Sequence, residues 1–195
     1  MGYDTAEARV EVPFVNEAYV PNLLAAAAVC RTFDFSFDDI LPRIGGLAPA
    51  AMRGVLVELP GGVRLYDDSY NSNPRALEEA LRSLGALPAA RKVAVLGDML
   101  ELGPGSAEYH RQAGASVVRW KWDVLVTVGP LARTIAEGAV AAGMPAKAVL
   151  SFPDAPSAAA GIGAVVRDGD LVLVKGSRGV KTEIIAAAVR RRGKE

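Results

Sequence analysis

Cysteine and histidine are almost missing from this sequence, since Cys30 and His110 are the only ones among 195 residues. A single cysteine excludes a disulfide within the chain, and one cysteine with one histidine excludes the usual Cys/His zinc sites. An excess of charge is missing too, because 22 Lys and Arg residues balance 22 Asp and Glu residues. A chain without a basic surplus is not expected to bind nucleic acid through a basic face.

Long apolar runs are also absent from the sequence. No stretch reaches the ~20 apolar residues that a transmembrane helix needs, and the first residues do not show the basic and then apolar pattern of a secretion signal. With 51% hydrophobic and 23% charged residues, the chain is too apolar to be disordered. These features predict a globular, cytoplasmic protein without a membrane span.

Three common signatures of nucleotide and acyl chemistry are missing. The sequence has no Gly-x-x-x-x-Gly-Lys-[Ser/Thr] phosphate loop, no Gly-x-Gly-x-x-Gly dinucleotide motif and no Gly-x-Ser-x-Gly nucleophile elbow. The segment Gly176–Thr182 follows a predicted strand, and it fits either an anion site or a plain helix start. His110 has no partner motif for a catalytic relay, so we expect it on the surface of a helix.

From residue 91 onward, the sequence alternates between short β-branched runs and longer Ala-rich segments with a helical period. The strand-like runs are nearly continuous in apolar residues, as strands covered on both faces are, and they lie at 92–96, 123–128, 148–152 and 171–174. The helix-like segments lie at 106–120, 131–142, 155–167 and 180–192. This alternation predicts an α/β fold with a Rossmann-like, doubly wound, mostly parallel sheet over residues 73–195.

The first 72 residues have a different pattern. They predict a strand at 8–14, a helix at 21–31, a short helix at 36–41 and a hairpin formed by 54–59 and 63–66. Ser36 is the expected cap of the second helix. Because two helices and a hairpin make only a thin core, we interpret residues 1–72 as a small α+β remnant of a larger domain.

Polar side chains cluster directly after three of the predicted strands. The clusters are Asp67–Pro74, Val95–Gly103 and Leu173–Gly179. Turns and helix caps account for some of these residues but not for all of them in the first cluster. Ligands bind at the carboxyl edge of open parallel sheets, so we expect the acidic, amide and basic groups of the three clusters to meet along one rim.

Three motifs and one histidine, taken in chain order, resemble the carboxyl-terminal part of a Mur ligase. They are Asp-Asp-Ser-Tyr-Asn-Ser-Asn-Pro, Val-Leu-Gly-Asp-Met-Leu-Glu-Leu-Gly, His110 and Val-Lys-Gly-Ser-Arg-Gly. The resemblance extends over essentially the whole chain, and the first string is typical of the branch that uses D-alanyl-D-alanine. It implies a three-domain enzyme with a UDP-binding domain, a central ATPase domain and a Rossmann-like third domain. Residues 1–72 would then end the central domain, and residues 73–195 would form the third.

The resemblance also implies a reaction. Such a ligase phosphorylates the carboxylate of a UDP-N-acetylmuramoyl tripeptide with ATP and magnesium, and the amine of D-alanyl-D-alanine then attacks the acyl phosphate. By matching motifs, the expected ATP-binding residues are Asn22, Arg53 and Asp68. The expected substrate-binding residues are Asn71, Asn73, Asp98, Lys175, Ser177 and Arg178. No catalytic or metal-binding residue is expected in this chain, and no tightly bound cofactor.

Two departures from the family pattern qualify this interpretation. Ala18 and Tyr19 stand where the family has histidine and asparagine near the adenine, and the family's phosphate loop and modified lysine are absent from these 195 residues. We therefore expect the chain alone neither to hydrolyse ATP nor to form the amide. Two alternatives stay open, namely a stand-alone, non-catalytic binding module derived from a Mur ligase, and another amide ligase of the same superfamily.

Overall fold

The computed structural model describes residues 9–12 and 14–192, and this part of the chain contains seven α-helices, four short 3-10 helices and six strands. The α-helices are α1 (Tyr19–Thr32), α2 (Phe37–Ile44), α3 (Pro74–Gly85), α4 (Ser106–Arg119), α5 (Arg133–Ala141), α6 (Ala155–Val165) and α7 (Glu183–Arg192). The strands are β1 (Val55–Leu59), β2 (Val63–Asp68), β3 (Arg91–Gly97), β4 (Val124–Val128), β5 (Val149–Phe152) and β6 (Asp170–Lys175). None of the helices in this part has the length and apolar content needed to span a bilayer.

The strands form one sheet in the order β1-β2-β6-β3-β4-β5. β1 pairs antiparallel with β2, and all other neighbours are parallel. Every residue of β4 and of β6 is buried, which explains why the runs 124–128 and 171–174 are almost entirely apolar. The predicted α/β fold with a mostly parallel sheet is confirmed.

Helices cover both faces of the sheet. Apolar side chains of α3, α4 and α5 pack against one set of strand residues, which includes Ala94 and Leu96. Side chains of α6 and α7 pack on the opposite face, against a set that includes Val93 and Val95. Neighbouring strand residues point to opposite faces, so both sets come from the same strands. The sheet is doubly wound, as predicted.

Helices α4 and α5 cross at a pair of glycines. A Cβ atom on Gly138 would collide with the backbone carbonyl of Arg111, and one on Gly114 would collide with the carbonyl oxygen of Ile135. The two helix backbones are therefore in direct contact at this crossing. Only glycine fits at either position without moving a helix.

The described residues before the hairpin contain two helices, α1 and α2, and no strand. Residues 9–12 and 14 have no regular secondary structure, so the strand expected at 8–14 is wrong there, while residues 8 and 13 lie outside the described part. The helices and the hairpin are where the sequence predicts them. Ser36 caps α2 through a reciprocal pair of bonds, in which Asp39 N–H donates to Ser36 Oγ at 3.2 Å and Ser36 N–H donates to Asp39 Oδ2 at 2.9 Å.

The hairpin is part of the same sheet as the later strands. β2 pairs with β6, and Asp68 lies opposite Lys175 in this register. The sheet therefore extends across the position at which the sequence predicts a domain boundary, between residues 72 and 73. The division into two domains at that position stays a prediction.

Candidate functional site

The carboxyl ends of β2, β6 and β3 lie side by side, which places the three polar clusters along one rim. Lys175 Nζ donates to Asp68 Oδ2 at 2.5 Å and to the carbonyl oxygen of Asn71 at 2.9 Å. Only 3% of Lys175 is exposed. This buried ion pair joins the end of β2 to the end of β6, and an open cleft lies beside it.

Burial and neighbouring cations shift the pKa of Asp68 in opposite directions. Burial raises the pKa of Asp68 above its ordinary value, while the charges of Lys175 and Arg53 act in the opposite direction. Burial also raises the pKa of Tyr19 to about 12, and the nearby charge of Asp68 adds to that shift. The cations beside Asp68 therefore favour its ionised form, against the effect of burial.

A cleft of about 720 Å³ opens between the start of α1, the loop after β2 and the first turns of α3. It brings together six of the side chains singled out from the sequence. Three of them are the expected ATP-binding residues and three are expected substrate-binding residues, namely Asn22, Arg53, Asp68, Asn71, Asn73 and Lys175. This volume is in the range of ordinary small-molecule sites.

Arg53 projects into this cleft from the turn before β1. The hydroxyl of Tyr19 donates to the carbonyl oxygen of Arg53 at 2.8 Å, which links α1 to that turn. On the far side of the cleft, Asn73 caps α3, because its Oδ1 accepts a hydrogen bond from Ala76 N–H at 2.9 Å. The side chain of Asn22 is exposed on the first turns of α1.

Three predicted substrate-binding residues lie outside the cleft. Asp98 is buried and accepts a hydrogen bond from Ala132 N–H at 2.6 Å, and burial raises its pKa. Ser177 Oγ accepts from Leu100 N–H at 2.9 Å, so it holds the loop after β3. Arg178 is exposed and pairs with Glu183 at 3.2 Å. The roles of these three residues stay predictions.

His110 is completely buried, so the expectation of a surface histidine is wrong. Its Nε2 accepts a hydrogen bond from Met99 N–H at 3.0 Å, and its Nδ1 lies 2.7 Å from the carbonyl oxygen of Ser106. Since the carbonyl accepts, Nδ1 carries the proton. The signal was present in the sequence, because His110, Ala113 and Val117 share one face of the helix by their spacing.

The cleft also contains charged residues that the sequence reading missed. Arg82 pairs with Glu17 and with Glu79, each at 2.8 Å, and Arg75 lines the cleft nearby. These side chains lie on or against α3, which is not among the helices predicted from the sequence. The i, i+4, i+7 spacing of Arg75, Glu79 and Arg82 could have placed them on one face of a helix.

Residues 52–178, more than half of the chain, match the family described as "Mur ligase, glutamate ligase domain". The chain belongs to the Mur ligase family. The resemblance stated from its motifs is thereby confirmed.

Relatives with an assigned activity agree with this assignment. The chain is 31% identical over 175 residues to the UDP-N-acetylmuramoyl-tripeptide–D-alanyl-D-alanine ligase of Bacillus subtilis, covering 89% of this chain and 38% of that protein. A crystal structure of MurF from Acinetobacter baumannii matches with a TM-score of 0.85 and 26% identity, over 96% of this chain and 41% of that one. The MurF ligase of Thermotoga maritima, crystallised in complex with ADP, matches with a TM-score of 0.77 and 27% identity, over 93% of this chain and 40% of that one. The chain therefore spans about two fifths of the length of these Mur ligases.

Proposed function

We propose that this chain forms the nucleotide-facing and dipeptide-facing side of an ATP-dependent ligase, which joins D-alanyl-D-alanine to a UDP-N-acetylmuramoyl tripeptide in peptidoglycan precursor synthesis. The observation that carries the proposal is the single cleft in which Asn22, Arg53 and Asp68 meet Asn71, Asn73 and Lys175. Family membership and the ADP complex of the Thermotoga maritima relative support it.

On the nucleotide side, the three side chains offer three different kinds of contact. The amide of Asn22 can donate to and accept from an adenine edge, and the carboxylate of Asp68 can accept from ribose hydroxyls. The guanidinium of Arg53 suits phosphate oxygens, because its N–H donors form a planar fork. A cation at this place would stabilise the negative charge that builds up on a transferring phosphoryl group.

On the dipeptide side, we propose that Asn71, Asn73 and Lys175 face the incoming D-alanyl-D-alanine. Lys175 offers a positive charge to the dipeptide carboxylate while it stays close to Asp68. In this proposal, Asp98 and Ser177 contribute to dipeptide binding indirectly, through the loops to which they are hydrogen-bonded. Arg178 contributes from the outer edge of the rim.

No group of three or more His, Cys, Asp or Glu side chains within residues 9–12 and 14–192 is arranged to hold a metal ion. Magnesium belongs to the proposed reaction because of the family, and we derive no step through it from these residues.

An uncovered apolar surface favours a part of a larger ligase over a stand-alone module. Helix α1 has no buried residue, and Phe33 and Leu24 are 72% and 64% exposed. A helix with apolar residues on all sides is normally covered by other parts of a protein. We propose that further Mur ligase structure packs on this surface, and that the enzyme acts in the cytoplasm, where an unpaired cysteine such as Cys30 is common.

Titration of the chain with ADP and with D-alanyl-D-alanine tests the proposal. We expect weak binding of ADP, with NMR shifts at Asn22 and Arg53, and weak binding of the D,D-dipeptide with no response to L-alanyl-L-alanine. Arg53→Gln should weaken ADP binding about ten-fold, since a hydrogen bond to a charged group is lost. Arg111→Gln, at an exposed arginine on α4 that does not line the cleft, is the matched control and should not change it.

A second part of this experiment concerns turnover. The 195-residue sequence has no standard phosphate loop, so the chain with ATP, magnesium, tripeptide substrate and dipeptide should release no phosphate and form no amide. Turnover by the purified chain would contradict this expectation. ADP shifts at residues remote from the cleft, unchanged by Arg53→Gln, would contradict the proposed site.

A further inference from the structure

Tyr70 lies between two arginines at the mouth of the cleft. The guanidinium carbon of Arg53 is 3.9 Å from the centroid of the Tyr70 ring, and that of Arg178 is 5.9 Å from it. The first of these distances places the Arg53 guanidinium directly over the ring face. The side chain of Tyr70 is 39% exposed, so it is a surface residue and not part of the core.

Arg53 differs from Arg82, which also lines the cleft, and from Arg178, which lies outside it, in how its charge is held. Within residues 9–12 and 14–192, no carboxylate lies within 4 Å of the Arg53 guanidinium, whereas Arg82 and Arg178 are paired with glutamates. A carboxylate partner occupies the N–H donors of an arginine and neutralises its charge. An aromatic ring contacts the flat face instead, and leaves the donors in the guanidinium plane free for an anion.

The two residues are presented by segments that are tied together. Tyr70 N–H donates to the carbonyl oxygen of Met52 at 3.0 Å, and Gly54 N–H donates to the carbonyl oxygen of Asp67 at 2.9 Å. These bonds flank Arg53 on one segment and connect it to the segment that carries Tyr70. The backbones that carry the ring and the guanidinium therefore keep one relative position.

We infer that Tyr70 is a positioning residue for anion binding. It holds the Arg53 guanidinium by its face, in the cleft and without a carboxylate in direct contact, so that the donors of Arg53 stay available to the phosphate groups of a nucleotide. The inference rests on the proposed function for the identity of the anion, but the positioning of Arg53 by Tyr70 can be tested without any ligand.

The ligand-free test is the NMR spectrum of the Arg53 side chain, assigned by comparison with Arg53→Gln. Protons above an aromatic ring are shifted upfield, so the Arg53 side chain should show this shift in the unmodified chain. Tyr70→Phe keeps the ring and should keep the shift. Tyr70→Leu removes the ring and should abolish it. Tyr109→Leu removes an equally exposed tyrosine on α4 and should leave the shift unchanged.

The ligand test is the dissociation constant of ADP for the same variants. Tyr70→Leu should raise it about two- to five-fold, the range expected for a lost surface cation–π contact. Tyr70→Phe and Tyr109→Leu should leave it within experimental error of the unmodified chain. Thermal unfolding of each variant tests whether the fold is intact. Because Tyr70→Phe keeps the aromatic ring, unchanged ADP affinity in this variant shows that the ring is what matters at position 70.

The outcomes separate the inference from the proposed function. The inference is overturned if Arg53 shows no upfield shift in the unmodified chain, or if Tyr70→Leu keeps both the shift and the ADP affinity. If ADP fails to bind any variant while the shift follows the ring, the positioning of Arg53 by Tyr70 is supported and the proposed nucleotide site is wrong.

Discussion

Lys175→Met is expected to destabilise the protein by about 3–5 kcal/mol, because it leaves the buried carboxylate of Asp68 without its partner. The ion pair has an N–O distance of 2.5 Å and connects residues that lie far apart in the chain. Chemical unfolding at neutral pH measures the loss. Lys147→Met, at an exposed lysine, is the control and should change the free energy of unfolding by less than about 0.5 kcal/mol.

The double variant Asp68→Asn/Lys175→Met tests whether the unpaired carboxylate of Asp68 causes the destabilisation by Lys175→Met. Because it removes both charges, it should be more stable than Lys175→Met alone. A double variant that is less stable than the single one by the full effect of Asp68→Asn would show that the two side chains act independently, and would contradict the buried pair.

The loss caused by Lys175→Met should depend on pH with a definite sign. Burial already raises the pKa of Asp68, and Lys175 is one of the two cations that oppose this shift, so its removal raises the pKa further. A carboxyl with a raised pKa in the folded state stabilises the fold below its unfolded-state pKa, and this contribution is lost as the pH rises through the folded-state pKa. The deficit of the variant should thus be smaller at about pH 5 than at about pH 8, and an unchanged deficit would contradict the assignment.

Gly138→Ala is expected to destabilise the protein by about 2 kcal/mol or more, because the new methyl group would collide with the backbone of Arg111 at the crossing of α4 and α5. The collision is with a backbone and not with a flexible side chain, so the helices must move apart. The higher helix propensity of alanine, worth about 1 kcal/mol, opposes only part of this cost. The midpoint of thermal or urea unfolding measures the result.

Gly163→Ala is the matched control for this prediction. Gly163 is also inside a helix, α6, but a Cβ atom there meets nothing within 4 Å. The substitution should therefore stabilise the protein by about 0.5–1 kcal/mol. If Gly138→Ala lowers the free energy of unfolding and Gly163→Ala raises it, α4 and α5 are in backbone contact. Changes of the same sign for the two substitutions would contradict that contact.

The local structure was readable because its signals are local. The apolar runs of β3 and β4, the spacing of α4 and α5, and the Ser36 cap of α2 are each encoded within a few neighbouring residues. The strand expected at 8–14 is wrong for residues 9–12 and 14. Alternation of apolar residues is a local signal, and it does not show whether a neighbouring strand is present for pairing. α3 was missed because its polar residues obscured the spacing of Leu77, Leu81 and Leu84.

The sequence predicted the parts of the candidate site and their meeting along one rim, but not which side chains pair with each other there. The residue types after β2 and β6 indicated a site, but Asp68 and Lys175 are 107 residues apart in the chain and were assigned to different ligands. Only the pairing of β2 with β6 makes them partners. Likewise, the contact between Arg53 and Tyr70 depends on a turn and a loop that meet only in the folded chain.

The sequence alone determined the class of fold, the family, and the presence of acidic, amide and basic clusters behind the strands, because periodicity and motifs are properties of short segments. The tertiary structure decided which strands are neighbours, which polar groups line the cleft beside α1, and which of them pair. It also decided that His110 lies inside. These features depend on crossovers and packing between distant segments, and the pattern of a single segment does not carry that information.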